Sequence, residues 1–158
     1  AAEHPGGPWR VRLTLDAAGQ FGSQVLPLAP TPEPVHMAVA ASPIATRGAA
    51  GEFLRHKTTR RELYAPFAAA KPAEAFDVIL WNEDSELTEC SFGNLALELD
   101  GRWLTPRLDA GLLPGILRTE LLAQGRLTEA RLTRDDLARA TGIAFMNSLR
   151  GWLPAVLA

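Results

Sequence analysis

A mixed α and β fold is what this chain of 158 residues predicts, and three observations predict it. Short runs with alternating apolar and polar side chains, or with continuous apolar ones, recur along the sequence as strands do. Between them stand helix signals, notably Pro114-Gly115 as an opening and Gly125 as a close. Apolar residues make up 47% of the chain against 22% charged ones, which suits a packed core and not a disordered segment.

The elements follow in order. Residues 1–8, rich in Pro and Gly, read as a lead-in. Trp9 to Leu15 alternates as a half-buried strand, Asp16 to Gly19 turns, and Phe21 to Leu28 is its partner. Pro30, Pro32 and Pro34 break regular structure before a strand over Val35–Ala40. Residues 41–51 read as a loop or linker. Thr58 to Ala70 suits a helix that Pro66 kinks or ends. Strands are expected over Phe76–Trp81, Leu87–Thr88 and Asn94–Leu99, and Asp100-Gly101 is a two-residue hairpin turn returning through Arg102–Leu104. A helix from Pro114 to Gly125 precedes a strand over Leu127–Leu132. Thr133 caps a short helix to Ala140, Ile143–Met146 is a buried strand, and Asn147–Trp152 the loop after it.

Composition excludes some functions. A net charge of −2 with sixteen scattered Lys and Arg leaves no footprint for nucleic acid. No apolar run reaches the roughly 18 residues of a membrane span, and the first residues lack the apolar core of a signal peptide. One cysteine rules out an internal disulfide and fits a reducing, cytoplasmic setting. Length suits one domain, and the missing initiator Met is read as a fragment or a processed chain.

Four stretches carry chemistry. In Glu52-Phe53-Leu54-Arg55-His56-Lys57-Thr58-Thr59-Arg60-Arg61, Lys57 sits where two elements meet. A lysine nucleophile must spend time deprotonated, which burial or a neighbouring cation arranges. Arg55, His56, Arg60 and Arg61 supply such cations, as would a solvated basic turn. Leu87-Thr88-Glu89-Cys90-Ser91-Phe92-Gly93-Asn94 places Glu89 on a strand end, 32 positions after Lys57; Cys90 reads as packing. Gly111-Leu112-Leu113-Pro114-Gly115-Ile116-Leu117-Arg118 is a helix start with free N–H groups, a seat for phosphate. Arg118 either caps that site or faces water. Asn147-Ser148-Leu149-Arg150-Gly151-Trp152 is a polar loop after a buried strand, where α/β proteins place ligands. Arg150 is a clamp for a carboxylate or a surface arginine, and Tyr64, the single tyrosine, reads as packing.

That order of motifs, from Arg55 to Trp152, resembles the class IV (fold type IV) aminotransferase family of pyridoxal-phosphate enzymes. Within it the sequence is most similar to 4-amino-4-deoxychorismate lyases, in particular the lyase part of fusions with aminodeoxychorismate synthase. The resemblance implies the C-terminal large domain of the D-amino-acid aminotransferase-like fold. Residues 1–50 would then be the end of a small N-terminal domain with a linker, and residues 51–158 the cofactor-binding domain. It makes Lys57 the residue that holds pyridoxal phosphate and moves protons on the substrate. Glu89 would sit on the ring nitrogen with Asn94 following, and Gly115, Ile116, Leu117, Ser148 and Leu149 would bind the phosphate. Arg150 and Arg61 would meet substrate, and no metal is implied. Complete members carry a small domain ahead of this region, with an arginine for the phosphate, so the resemblance implies a fragment with little activity alone. The implied reaction splits 4-amino-4-deoxychorismate into 4-aminobenzoate and pyruvate, in folate biosynthesis. A homodimer, tied to or fused with the synthase, is the implied assembly. A branched-chain or D-amino-acid aminotransferase is the alternative of the same fold, and a catalytically silent dimerisation or scaffold domain the alternative of another class.

Overall fold

The computed structural model describes residues 6–158. It divides into two compact units, Ala1–Pro32 and Glu33–Ala158. Most of the expected lead-in, residues 1–5, lies outside the described residues. In the first unit, β1 (Trp9–Leu15) and β2 (Phe21–Pro27) pair as expected, an antiparallel ribbon with Leu15 opposite Phe21. The alternation puts Val11, Leu13, Leu15 and Phe21 on one face, but that face is exposed, so the expected half-burial is not met here.

The larger unit begins eighteen residues earlier than the division expected after residue 50. The reason is β3 (Val35–Val39), which pairs in parallel with β4 (Asp77–Trp81) and with β10 (Gly151–Leu157). The other strands are β5 (Leu87–Cys90), β6 (Asn94–Leu99), β7 (Arg102–Pro106), β8 (Thr128–Ala130) and β9 (Gly142–Asn147). Their order is β5-β4-β3-β10-β9-β6-β7-β8, one mixed sheet of eight strands. The sheet curls until its edges meet. Leu87 N–H donates to the Leu132 carbonyl at 2.8 Å, and Glu86 bridges Thr133. The buried Glu86 carboxylate accepts from Arg131 and lies 3.8 Å from Arg107, adding charge to the same seam.

Period-two side chains explain what covers the sheet. Met37, Ile79, Leu95, Leu97, Phe145 and Leu153 share one core. Their neighbours Val78 and Leu80 point the other way, onto Leu54 and Phe67 of α2 (Ala65–Ala70). Ala96, Ala144 and Met146 meet Leu121 of α3 (Ile116–Ala123). Asp100 and Gly101 both take positive φ, as a two-residue hairpin requires. Thr133 closes a reciprocal capping box with Asp136 at the start of α4 (Arg134–Arg139).

Three expectations need correcting. Residues 41–51 are not all loop: Gly48–Glu52 is a short helix, continued by a 3-10 turn over Phe53–Arg55. Thr58 to Tyr64 is irregular and turn-like, and Pro66 starts a helix where it was expected to break one, because the first turn needs no N–H from it. Asn147–Trp152 is a tight turn and not a loop, since β10 begins at Gly151. Pro154 hides that strand in the sequence; pairing with β3 starts only at Ala155, so the missing N–H meets no partner on that side.

Candidate active site

The site grows from Glu89, near the end of β5. Its side chain is 4% exposed, in a sheet whose buried residues are mostly apolar. Tyr64 Oη donates to Glu89 Oε1 at 2.6 Å and the Leu113 N–H to Oε2 at 3.2 Å. Burial pushes the carboxyl up to about 7; the Tyr64 and Leu113 hydrogen bonds and the charges of Lys57 and Arg61 pull the other way. The carboxyl is thus poised to change protonation near neutrality, as acid–base sites need.

Lys57 occupies the opposite kind of place. It lies on the exposed irregular segment after the 3-10 turn, and its charge reaches Glu89. Of the two arrangements that favour a deprotonated lysine, burial is absent here and cationic neighbours are present in the sequence. The other lysine, Lys71, is engaged by the Ala75 and Pro72 carbonyls. Arg61 donates to the Ser91 carbonyl and stacks over the Tyr64 ring at 4.2 Å, so protein already holds part of its guanidinium.

Two further segments converge on the same region. Asn94, 4% exposed, donates from Nδ2 to the Leu113 carbonyl at 2.8 Å. A Cβ on Gly115 would stand 2.1 Å from Asn94 Oδ1, which explains glycine at this close approach. Asn94 therefore fixes the turn into α3. Gly115 N–H is spent on the Leu113 carbonyl at 2.8 Å, which leaves Ile116 and Leu117 to offer N–H groups at the helix start. On the last turn, Asn147 Oδ1 accepts from the N–H groups of Leu149 and Arg150, at 3.1 and 2.8 Å. Its Nδ2 donates to the Phe92 carbonyl at 3.2 Å, joining this turn to the one after Glu89. Ser148 and Leu149 are exposed there, and Arg150 lies 5.9 Å over the Phe76 ring. The four sequence stretches are thus tied into one hydrogen-bonded group, though Leu149 gives its N–H to Asn147 instead of outward.

Sequence reasoning missed three residues. Tyr64 was read as packing, yet its hydroxyl makes the shorter of the two hydrogen bonds to Glu89, a long-range contact with no local signal. Asp77, fully buried, accepts from Ser91 Oγ, from Phe92 N–H at 3.1 Å and from Val78 N–H at 2.7 Å, and so anchors the turn beyond Glu89. Burial pushes its carboxyl up against those hydrogen bonds. Arg118 neither caps the site nor faces water: it is 3% exposed, donating to the Pro106 carbonyl at 2.8 Å and to Glu129. An open concavity beside α4, lined in part by Thr133, Arg134 and Leu157, contains none of the candidate residues. Among the described residues no helix is long and apolar enough to cross a membrane.

A curled mixed sheet with a buried acid, a lysine on an adjoining segment and a helix start at one side defines a class of cofactor enzyme. The family model for amino-transferase class IV matches residues 1–157, and the chain belongs to that family of pyridoxal-phosphate-dependent enzymes. A Schizosaccharomyces pombe protein provisionally named aminodeoxychorismate lyase is 30% identical over 155 residues, which is 94% of this chain and 66% of that protein. The chain thus spans about two thirds of that relative's length. A solved structure from Mesorhizobium loti, provisionally named an amino-acid aminotransferase, is 38% identical with a TM-score of 0.87, over 95% of this chain and 73% of that one. The 4-amino-4-deoxychorismate lyase of Pseudomonas aeruginosa shares the fold, at 21% identity and TM-score 0.73, over 90% of this chain and 56% of that one.

Proposed function

We propose that this chain carries the pyridoxal-phosphate site of a lyase that converts 4-amino-4-deoxychorismate into 4-aminobenzoate and pyruvate. The observation that carries the cofactor assignment is the buried, doubly hydrogen-bonded carboxylate of Glu89 within reach of the Lys57 charge. The donor set fits the group: an acid for a ring nitrogen, an amine for an aldehyde, and helix-start N–H groups beside a glycine cradle for a phosphate. Bound there, pyridoxal phosphate supplies an electron sink for a substrate carbanion.

The chain's own residues divide the work. Lys57 Nζ is the covalent anchor, and it takes and returns a proton at the substrate carbon. Glu89 holds a proton at the ring nitrogen. Asn94 keeps the turn into α3 in place, and Gly115 leaves room for it. Ile116 and Leu117 offer N–H groups to the phosphate, with the Ser148 hydroxyl as a further donor. Arg150 is assigned to a substrate carboxylate, with Arg61 behind it. Residues 33–158 then serve as the cofactor-binding domain, working in the cytoplasm as a homodimer associated with aminodeoxychorismate synthase.

Similarity to the S. pombe protein along nearly the whole chain supports the lyase reading. The M. loti structure supports a second, an amino-acid aminotransferase. Supplying pyridoxal phosphate and 4-amino-4-deoxychorismate separates them. Appearance of 4-aminobenzoate without amino transfer to a 2-oxo acid is the expected result. Amino transfer without 4-aminobenzoate would replace the lyase by the second reading, and absence of cofactor uptake would leave a non-catalytic domain.

A further inference from the structure

We propose that Tyr64 is a positioning residue, fixed by Arg61, whose hydroxyl holds the Glu89 carboxylate in the orientation it needs. The inference rests on the reading of Glu89 as the acid that faces the cofactor ring. Glu89 is a flexible side chain, and burial alone does not choose a rotamer for it. Its two oxygens are held from different parts of the chain, Oε1 by Tyr64 Oη at 2.6 Å and Oε2 by the Leu113 N–H at 3.2 Å. Rotation of the carboxylate would lose both bonds in a buried place, where unmade hydrogen bonds are costly. The Leu113 donor is backbone and cannot be tuned, which makes Tyr64 the adjustable side-chain contact.

Tyr64 is itself built into place. Its ring packs against the core of Leu54, Phe67 and Leu80, and the Arg61 guanidinium lies 4.2 Å over its face. Arg61 also donates to the Ser91 carbonyl, two residues beyond Glu89. One arginine thus ties the tyrosine to the strand end that carries the acid. Burial and the neighbouring Glu89 charge hold the phenol far above its ordinary value, so it stays a donor across the working pH range. A donor to an ionised carboxylate favours the ionised form. The groups that bear on Glu89 are Lys57, Arg61 and Tyr64 from the preceding segment, with the buried Cys90 thiol beside it on β5.

Tyr64→Phe keeps the ring and removes only the donor. In the cofactor-free protein, the Glu89 carboxyl is followed by 13C NMR with Glu89→Gln to assign its signal, and circular dichroism checks the fold. The expected result is an upward shift of the Glu89 titration by about one unit with the fold retained. Arg61→Lys, which keeps the positive charge near Glu89 but gives up the guanidinium stack over the tyrosine ring and its place on the Ser91 carbonyl, should shift it in the same direction. An unchanged titration in folded Tyr64→Phe overturns the proposal while leaving the cofactor reading intact. A shifted titration in a protein that takes up no pyridoxal phosphate does the reverse: the positioning stands and the cofactor reading falls. Should Tyr64→Phe fail to fold, the Arg61→Lys titration decides: an unchanged Glu89 titration there overturns the proposal.

Discussion

The two halves of the proposed acid–base pair are built in opposite ways. Glu89 sits on a strand, almost wholly buried, with both carboxylate oxygens held and the turn beyond it pinned by Asp77. Lys57 sits in an exposed irregular segment, and it bears on Glu89 through its charge. The difference teaches where precision is needed. A residue that must stay aimed at one atom is set on the scaffold, while a residue that reacts and then moves protons needs freedom. It also means that the two should respond differently to substitution.

The largest effect is expected at Lys57. Lys57→Ala should abolish covalent uptake of pyridoxal phosphate, read by borohydride trapping and peptide mapping, and lower turnover by about a thousandfold or more. Because the side chain is exposed, thermal stability should change by less than about 0.5 kcal/mol. A label on Lys71 instead would break the comparison at its base.

Glu89→Gln should lower turnover by about a hundredfold or more while the cofactor still binds. Its stability effect has a sign that depends on pH. The folded carboxyl titrates near 7 against 4.5 for the free group. Between those values the folded state keeps a proton that the unfolded chain has lost, so wild-type stability falls as pH rises through that window. The glutamine removes this loss. Glu89→Gln should therefore gain on wild type by on the order of 1–3 kcal/mol at pH 8, and by little at pH 4.5. Paired denaturation curves at the two pH values check it; a constant difference would show that burial does not raise the Glu89 carboxyl.

Asp77→Ala tests the scaffold behind the acid. It strips the acceptor from Val78, Ser91 and Phe92 and should destabilise the fold by about 2–4 kcal/mol in urea melts. A cost like that of an exposed site would mean the Glu89 side is not held from below. The smallest effect is expected for Gly115→Ala, where the added methyl must push the buried Asn94 amide aside. About 1–2 kcal/mol and weaker phosphate binding, read by calorimetry with pyridoxal phosphate, should follow.

How much of this was legible varies with the physics. Local signals carried well: the Asp100-Gly101 turn, the Thr133 cap and the partnership of β1 with β2 all formed as read. The Lys57, Glu89, Gly115 and Asn147 stretches were each visible, and the fold brings them together. What stayed hidden depends on partners far along the chain. Nothing near Tyr64 shows that its hydroxyl meets a carboxylate 25 residues on. Nor does its neighbourhood reveal that Asp77 would be wholly buried as a turn anchor, or that Arg118 would turn inward to the Pro106 carbonyl. Strand β10 was missed because a Gly and a Pro mask a pattern that only its two neighbours make sense of.

The position of β10 has a consequence for how the protein is made. It is the most C-terminal strand of the chain, yet it lies between β3 and β9 in the sheet. Without it, β5-β4-β3 and β9-β6-β7-β8 meet only at the seam of Leu87 with Leu132 and Glu86 with Thr133. The ribosome therefore delivers both halves before the strand that joins them, and the chain waits with two open strand edges exposed. Pairing Val35 with Ala155 closes a loop of about 120 residues, the slow kind of contact. The sheet is thus completed by one of its most distant pairings in sequence.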